Sequence, residues 1–197
     1  MSRYDGSDHY AYPDTQVLRN KADIRDQVAL DAFEADATAV RMLELIEAPI
    51  QGAFDLRHLC AVHRHLFQDV YDWAGEIRTV DISREGSRFA SFALIESYLG
   101  RELSGLPAED FLRGLDPDRF IARLTHYMSE INAVHPFREG NGRVQRFFCS
   151  QLASQAGYFI DFETVDQARM YEAMIASFNG DEKLLAALLD EITSILE

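Results

Sequence analysis

The sequence predicts a mainly α fold carrying one small β-hairpin, and three observations predict it. Apolar residues recur at three or four over most of the chain, the spacing of one helical face. Asp, Pro and Gly stand where helices would start and stop. The period shortens only in one stretch, between about residues 77 and 89.

Positions 1 to 20 set Tyr4, Tyr10, Tyr12 and Pro13 among polar residues, the composition of an irregular arm that lays aromatic rings on the body. From about Asp23 to Glu47, Ile24, Val28, Ala32, Ala35, Ala39, Leu43 and Ile46 mark one helical face, and Pro49 closes the helix. A second helix over about 54–67 carries Leu56, Leu59, Val62, Leu66 and Phe67 as its apolar stripe. The period then changes. Ile77, Val80 and Ile82 lead into the polar turn Ser83-Arg84-Glu85-Gly86-Ser87 ahead of Phe89, which makes 78–90 the hairpin.

Helical spacing returns over about 91–103. It resumes at Asp116-Pro117, where Asp at the cap and Pro in the first turn begin a helix reaching about Asn132. Phe120, Leu124, Met128 and Ile131 form its apolar face. After a glycine-bearing loop, Val144, Phe147, Phe148, Leu152 and Ala156 make another face, and Gly157 is placed as a helix stop. Two further helices are expected over about 164–178 and 181–195. With no internal repeat and no long Gly, Pro or Ser linker, residues 1–197 read as one domain.

Composition narrows the function classes. With 47% hydrophobic and 26% charged residues the chain should fold around its own core. Cys60 and Cys149 lie far apart and outside any CxxC pattern, so both read as reduced core thiols. No apolar run approaches the roughly 20 residues that span a bilayer, and the start lacks a signal peptide's apolar stretch, so a cytoplasmic protein without membrane partners is expected. A net charge of -14 argues against a broad nucleic-acid surface and confines any phosphate binding to a local site.

Residues 135–146 are where such a site stands. Arg138, Arg143 and Arg146 against Glu139 give a formal +2 within an acidic chain. Gly140 and Gly142 flank Asn141 directly before a helix, where backbone N–H groups and the helix dipole converge on an anion. Arg143 and Arg146, three apart, can reach round the helix N-terminus toward the same anion. Glu139 is the natural Mg²⁺ ligand, since Mg²⁺ is usually held by a carboxylate, phosphate oxygens and water. His135, with an ordinary imidazole pKa of about 6.5, is a competent base toward a hydroxyl.

Taken whole, His135-Pro136-Phe137-Arg138-Glu139-Gly140-Asn141-Gly142-Arg143-Val144-Gln145-Arg146 resembles the signature of Fic-domain AMP-transferases, HPFx(D/E)GNGRxxR, at every defining position. Trp73-Ala74-Gly75-Glu76-Ile77-Arg78, Val80, Ile82-Ser83 and Phe89 resemble the segment leading into that family's flap, and the likeness extends over about 10–180. It implies a helical fold with a central motif loop under a β-hairpin flap. It implies that ATP is the co-substrate and that His135 deprotonates a target Ser, Thr or Tyr hydroxyl. Glu139 would hold Mg²⁺, Gly140, Asn141 and Gly142 would cradle the α- and β-phosphates, and Arg143 and Arg146 would stabilise the β- and γ-phosphates. Phe137 would be a buried anchor. The flap residues Val80, Asp81, Ile82 and Ser83 would clamp the target by strand addition. Gly142 separates this chain from kinase-like members, which carry Lys there.

The same resemblance implies restraint by a helix bearing (S/T)xxxE(G/N). The one Ser or Thr followed four positions later by Glu is Thr193 with Glu197, without the following Gly or Asn, so a separate small antitoxin protein is the expected inhibitor and Glu197 the alternative. The toxin-like resemblance suggests type II topoisomerase subunits as targets. Two alternatives stay open: a nucleotide-binding interaction module that transfers nothing, and a hydrolase that removes AMP from proteins.

Overall fold

A computed structural model describes residues 8–84 and 87–196. Seven α-helices are found among them: α1 (Gln27–Glu47), α2 (Leu56–Phe67), α3 (Ile95–Leu103), α4 (Pro117–Val134), α5 (Asn141–Ala156), α6 (Gln167–Phe178) and α7 (Lys183–Ile192). The strands are β1 (Ser83–Arg84), β2 (Ser87–Arg88), β3 (Tyr158–Ile160) and β4 (Thr193–Ile195). The fold is mainly helical, as the apolar spacing predicts.

Helix α4 is the centre, packed by α3, α5, α6 and α7. It starts as expected, with the Asp116 carboxylate accepting the Arg119 N–H at 3.1 Å and Pro117 in the first turn. Its Phe120, Leu124, Met128 and Ile131 are all buried. Helix α5 runs back against it and ends at Gly157, whose φ of 90° supplies the left-handed turn a helix stop needs. Between these two helices lies the loop 135–140, so the central helix pair holds the candidate site.

Two expectations are corrected. The face of α1 read from Val28, Leu43 and Ile46 is turned outward, with those residues 78, 63 and 62% exposed. Leu30, Thr38 and Leu45 are buried instead. The helix is rotated because two of its polar residues, Glu34 and Thr38, have a partner inside in Arg143. At the other end of the chain the helical spacing does not continue to 195. Helix α7 stops at Ile192, and Thr193, Ser194 and Ile195 pair antiparallel with Ile160, Phe159 and Tyr158.

The expected hairpin is present and shorter than 78–90, with Ser83 opposite Arg88 and Arg84 opposite Ser87. Residues 8–20 of the arm fold back through the bridge of Ala11 to Leu18. Tyr10 is buried, edge-on to Trp73 at 5.3 Å, and Tyr12 is half-buried, whereas Tyr4 lies outside the described residues. None of the described helices is long and apolar enough to cross a membrane.

Candidate active site

The site begins where α4 ends. His135 closes the helix in the left-handed region at φ 51° and ψ 65°, a conformation that costs a non-glycine residue about 1–2 kcal/mol and persists only where the surroundings enforce it. The enforcing residue is Arg78, whose side chain is wholly buried. Its Nε donates to the His135 carbonyl at 2.8 Å, Nη1 to Val80 at 2.6 Å, and Nη2 to Val134 at 3.0 Å and to Ala90. One guanidinium thus ties both ends of the flap to the last carbonyls of α4, the negative end of its dipole.

The His135 ring stacks on Phe89 at 3.9 Å, and its Nδ1 lies 3.3 Å from the Asn132 carbonyl. A carbonyl only accepts, so Nδ1 carries the proton and Nε2 is the basic nitrogen of the neutral ring.

Residues 136–140 are fixed by Asn141, whose Oδ1 accepts the Phe137 N–H at 2.9 Å while Nδ2 donates to the Phe137 carbonyl at 2.8 Å. The Asn141 side chain therefore shapes the loop, and only its main chain can face an anion. Phe137 is buried and stacks on His63 at 4.0 Å, the anchoring role the resemblance implies. His63 accepts the Gly75 N–H at Nδ1, 2.7 Å, so its proton sits on Nε2, which donates to the Glu139 carbonyl at 3.1 Å. Burial pushes the His63 pKa down to about 3, which keeps this ring neutral.

Gly140 sits at φ +78°, and a Cβ there would lie 2.1 Å from Cζ of Phe67, so this position admits glycine alone. Arg138 differs from the sequence reading: it is 3% exposed and pairs with Asp8 of the arm, which offsets its charge.

Helix α5 starts at Asn141 with no side-chain cap, which leaves its first-turn N–H groups for an external acceptor. Arg146 Nη1 would lie 3.3 Å from a Cβ on Gly142, so the bare glycine leaves room beside the guanidinium. Burial and the nearby Arg143 cation pull the Arg146 pKa below the usual arginine value, a strain that a bound anion would relieve.

The two arginines line different cavities. Arg146 lines one of about 630 Å³ with His135, Glu139, Gly142, Tyr171 and Met174. Arg143 lines another of about 670 Å³ with Arg138, Glu34 and the arm. Glu139 belongs to both, and its carboxylate accepts the Gly140 N–H at 3.0 Å.

Above His135, the flap residues divide. Ile82 is buried, the Val80 carbonyl is taken by Arg78, and the Asp81 carboxylate accepts the Phe92 N–H at 2.8 Å. Ser83 opens the hairpin strand itself. Thr193, in strand β4, lies outside any helix, and Glu197 lies outside the described residues.

With this geometry in view, residues 53–153 match the sequence pattern of the Fic/DOC family. The chain belongs to the Fic/DOC family. It is 45% identical over 190 residues to the protein adenylyltransferase VbhT of Bartonella schoenbuchensis, a likeness that covers 96% of this chain and 40% of that protein. It is 36% identical to the "Probable protein adenylyltransferase Fic" of Escherichia coli K12, over 96% of this chain and 94% of that one. The chain therefore spans less than half of the first relative and nearly all of the second.

Among solved Fic structures, the N-terminal Fic domain of a VirB-translocated Bep effector from Bartonella quintana, with bound ADP, superposes with a TM-score of 0.91. The two are 29% identical, with 95% of each chain covered. BepC of Bartonella tribocorum, with bound AMPPNP, gives 0.90 at 26% identity, over 95% of this chain and 97% of that one.

Reading the sequence missed Arg78, Glu34 and His63 as site residues. Only Glu34 left a local trace, with Thr38 four residues on and therefore on the same face of α1.

Proposed function

We propose that this chain, as one Fic domain, is a protein adenylyltransferase that moves AMP from ATP to a Ser, Thr or Tyr hydroxyl of another protein. The observation that carries this is the tautomer of His135: a ring with a basic Nε2 that lines the same cavity as Asn141, Gly142 and Arg146 of the first turns of α5. The nucleotides bound by the two Bartonella relatives and the adenylyltransferase names of the sequence relatives support it.

The adenine end would enter between Tyr171 and Met174, and the phosphates would run along the N–H groups of Asn141, Gly142 and Arg143. Nε2 of His135 takes the proton of the target hydroxyl as its oxygen attacks the α-phosphorus. The bond from that phosphorus to the bridging oxygen breaks and pyrophosphate leaves, its charge met by Arg146 in the same cavity and by Arg143 from the adjoining cavity beyond Glu139. Glu139 offers one carboxylate between the two cavities, which suits an Mg²⁺ ion that completes its shell with phosphate oxygens and water. Bound there, the ion would neutralise phosphate charge.

The target would lie along the hairpin at Ser83 and Arg84, joined by main-chain hydrogen bonds. A type II topoisomerase subunit with an accessible tyrosine is the first candidate, in the cytoplasm. A small antitoxin protein would restrain the enzyme, and the outward stripe of Val28, Leu43 and Ile46 on α1 is apolar surface that a partner helix would cover.

The test incubates the protein with bacterial lysate, ATP and Mg²⁺ and searches by mass spectrometry for peptides carrying AMP on Ser, Thr or Tyr. The reading expects such peptides with the wild type and none with His135→Ala. Finding none with the wild type, while ATP binds, would favour the binding-module or hydrolase alternative.

A further inference from the structure

Arg143 is held before any nucleotide arrives. Its Nη2 donates to the Glu34 carboxylate, its Nη1 to the Thr38 hydroxyl at 2.9 Å, and its Cζ lies 4.8 Å from the centre of the Phe67 ring. Glu34 is secured in turn by Tyr71, whose hydroxyl donates to the other carboxylate oxygen. Burial first, and the Glu34 charge second, push the Tyr71 pKa above that of ordinary tyrosine, so the phenol stays a donor. The Glu34 side chain is 12% exposed and Thr38 is buried, so this cage belongs to the interior of the cleft. It also accounts for the rotation of α1, which turns Glu34 and Thr38 inward at the cost of exposing Val28, Leu43 and Ile46.

We infer that Glu34 is a positioning residue for the transfer reaction, fixing the Arg143 guanidinium in the arm-side cavity that meets the nucleotide cavity at Glu139. The inference rests on the nucleotide site proposed above. Two of the five N–H groups of Arg143 are used by the cage, which leaves three for a ligand in a fixed fork. The ring of Phe67, pressed against Gly140, sets the height of that fork relative to the loop.

Glu34 also brings a negative charge close to where phosphates would bind, which opposes ground-state affinity. The two effects separate in the kinetics. Replacing the carboxylate by an amide removes repulsion and loosens Arg143, so binding holds or tightens while turnover falls.

The experiment uses the full chain and the Glu34→Gln and Thr38→Val variants. Calorimetry with ATP and Mg²⁺ reads affinity, the rate of transfer from α-labelled ATP to lysate proteins at saturating ATP reads turnover, and thermal melting checks folding. Glu34→Gln is expected to bind ATP at least as tightly as the wild type. It is expected to transfer about 10- to 100-fold more slowly, the range for losing a group that orients a ligand. Thr38→Val, which keeps the carboxylate, is expected to slow transfer less and leave affinity unchanged.

Transfer by Glu34→Gln at or above the wild-type rate overturns the inference, and so does an equal fall in affinity and rate, which would mark a merely structural role. If Glu34→Gln does not fold, wild-type turnover in Thr38→Val overturns it. A wild type that binds no ATP removes the nucleotide reading itself, a result distinct from all of these.

Discussion

Replacing Arg78 by Lys keeps the charge and removes the fork, which makes it a direct perturbation of the link between flap and loop. The guanidinium reaches four carbonyls, those of Val80, Ala90, Val134 and His135, from three nitrogens. A single ammonium on an unbranched stem can reach two of them. Each buried carbonyl left without a donor costs about 1–3 kcal/mol, so the variant should lose roughly 2–6 kcal/mol of stability. At about 2–4 °C per kcal/mol for a chain of this length, melting should fall by roughly 4–24 °C.

The functional consequence is local. His135 loses the donor that holds its left-handed backbone, and Val80 and Ala90 lose their common anchor. Transfer from α-labelled ATP, measured at a temperature where the variant is folded, should drop about 10-fold or more. ATP affinity, set by α5 and the opposite wall, should stay within about threefold, less than 1 kcal/mol. Melting and transfer both unchanged in Arg78→Lys would refute the reasoning, because a bond set that can be halved without effect holds nothing in place.

Gly140→Ala should abolish ATP binding in calorimetry while the helices persist by circular dichroism, since the new Cβ meets Phe67 at 2.1 Å and the loop must shift to admit it; wild-type affinity would contradict the geometry. A pH effect follows from His63. Its folded pKa of about 3 lies below the unfolded value, so the unfolded chain binds the extra proton and stability falls as pH drops below about 6.5. Between pH 7 and pH 5 this one ring should cost about 2 kcal/mol, and denaturant titrations of His63→Gln against the wild type should differ in slope over that range. Parallel pH profiles for the two proteins would count against a neutral, buried His63.

Much of the fold could be read from the residues because its signals are local. Asp116-Pro117 at a helix start, Gly157 at a stop and the stripe of Leu59, Val62 and Leu66 each report a short-range preference, and the structure has all three in those roles. The motif loop was legible for the same reason, since His135, Glu139 and Gly142 fall within eight consecutive residues.

What could not be read depends on residues far apart in the chain. Helix α1 offered an apolar stripe, and its orientation was decided instead by Glu34 and Thr38 meeting Arg143 more than 100 residues away. Strand β4 looked helical because its partner, Tyr158–Ile160, lies across α6 and α7 in sequence. Arg138 looked like part of an anion site until Asp8, 130 residues distant, claimed it. A buried arginine such as Arg78 leaves no trace in hydropathy at all.

The central claim is that the phosphorus attacked is the α-phosphorus and that His135 supplies the base. The most direct measurement compares labelling of lysate proteins by ATP carrying label on the α-phosphate with ATP carrying it on the γ-phosphate, for the wild type and His135→Ala. The account predicts protein-bound label from the α-position alone, and none from either position with His135→Ala. Label from the γ-position, or α-label that survives loss of His135, would contradict it.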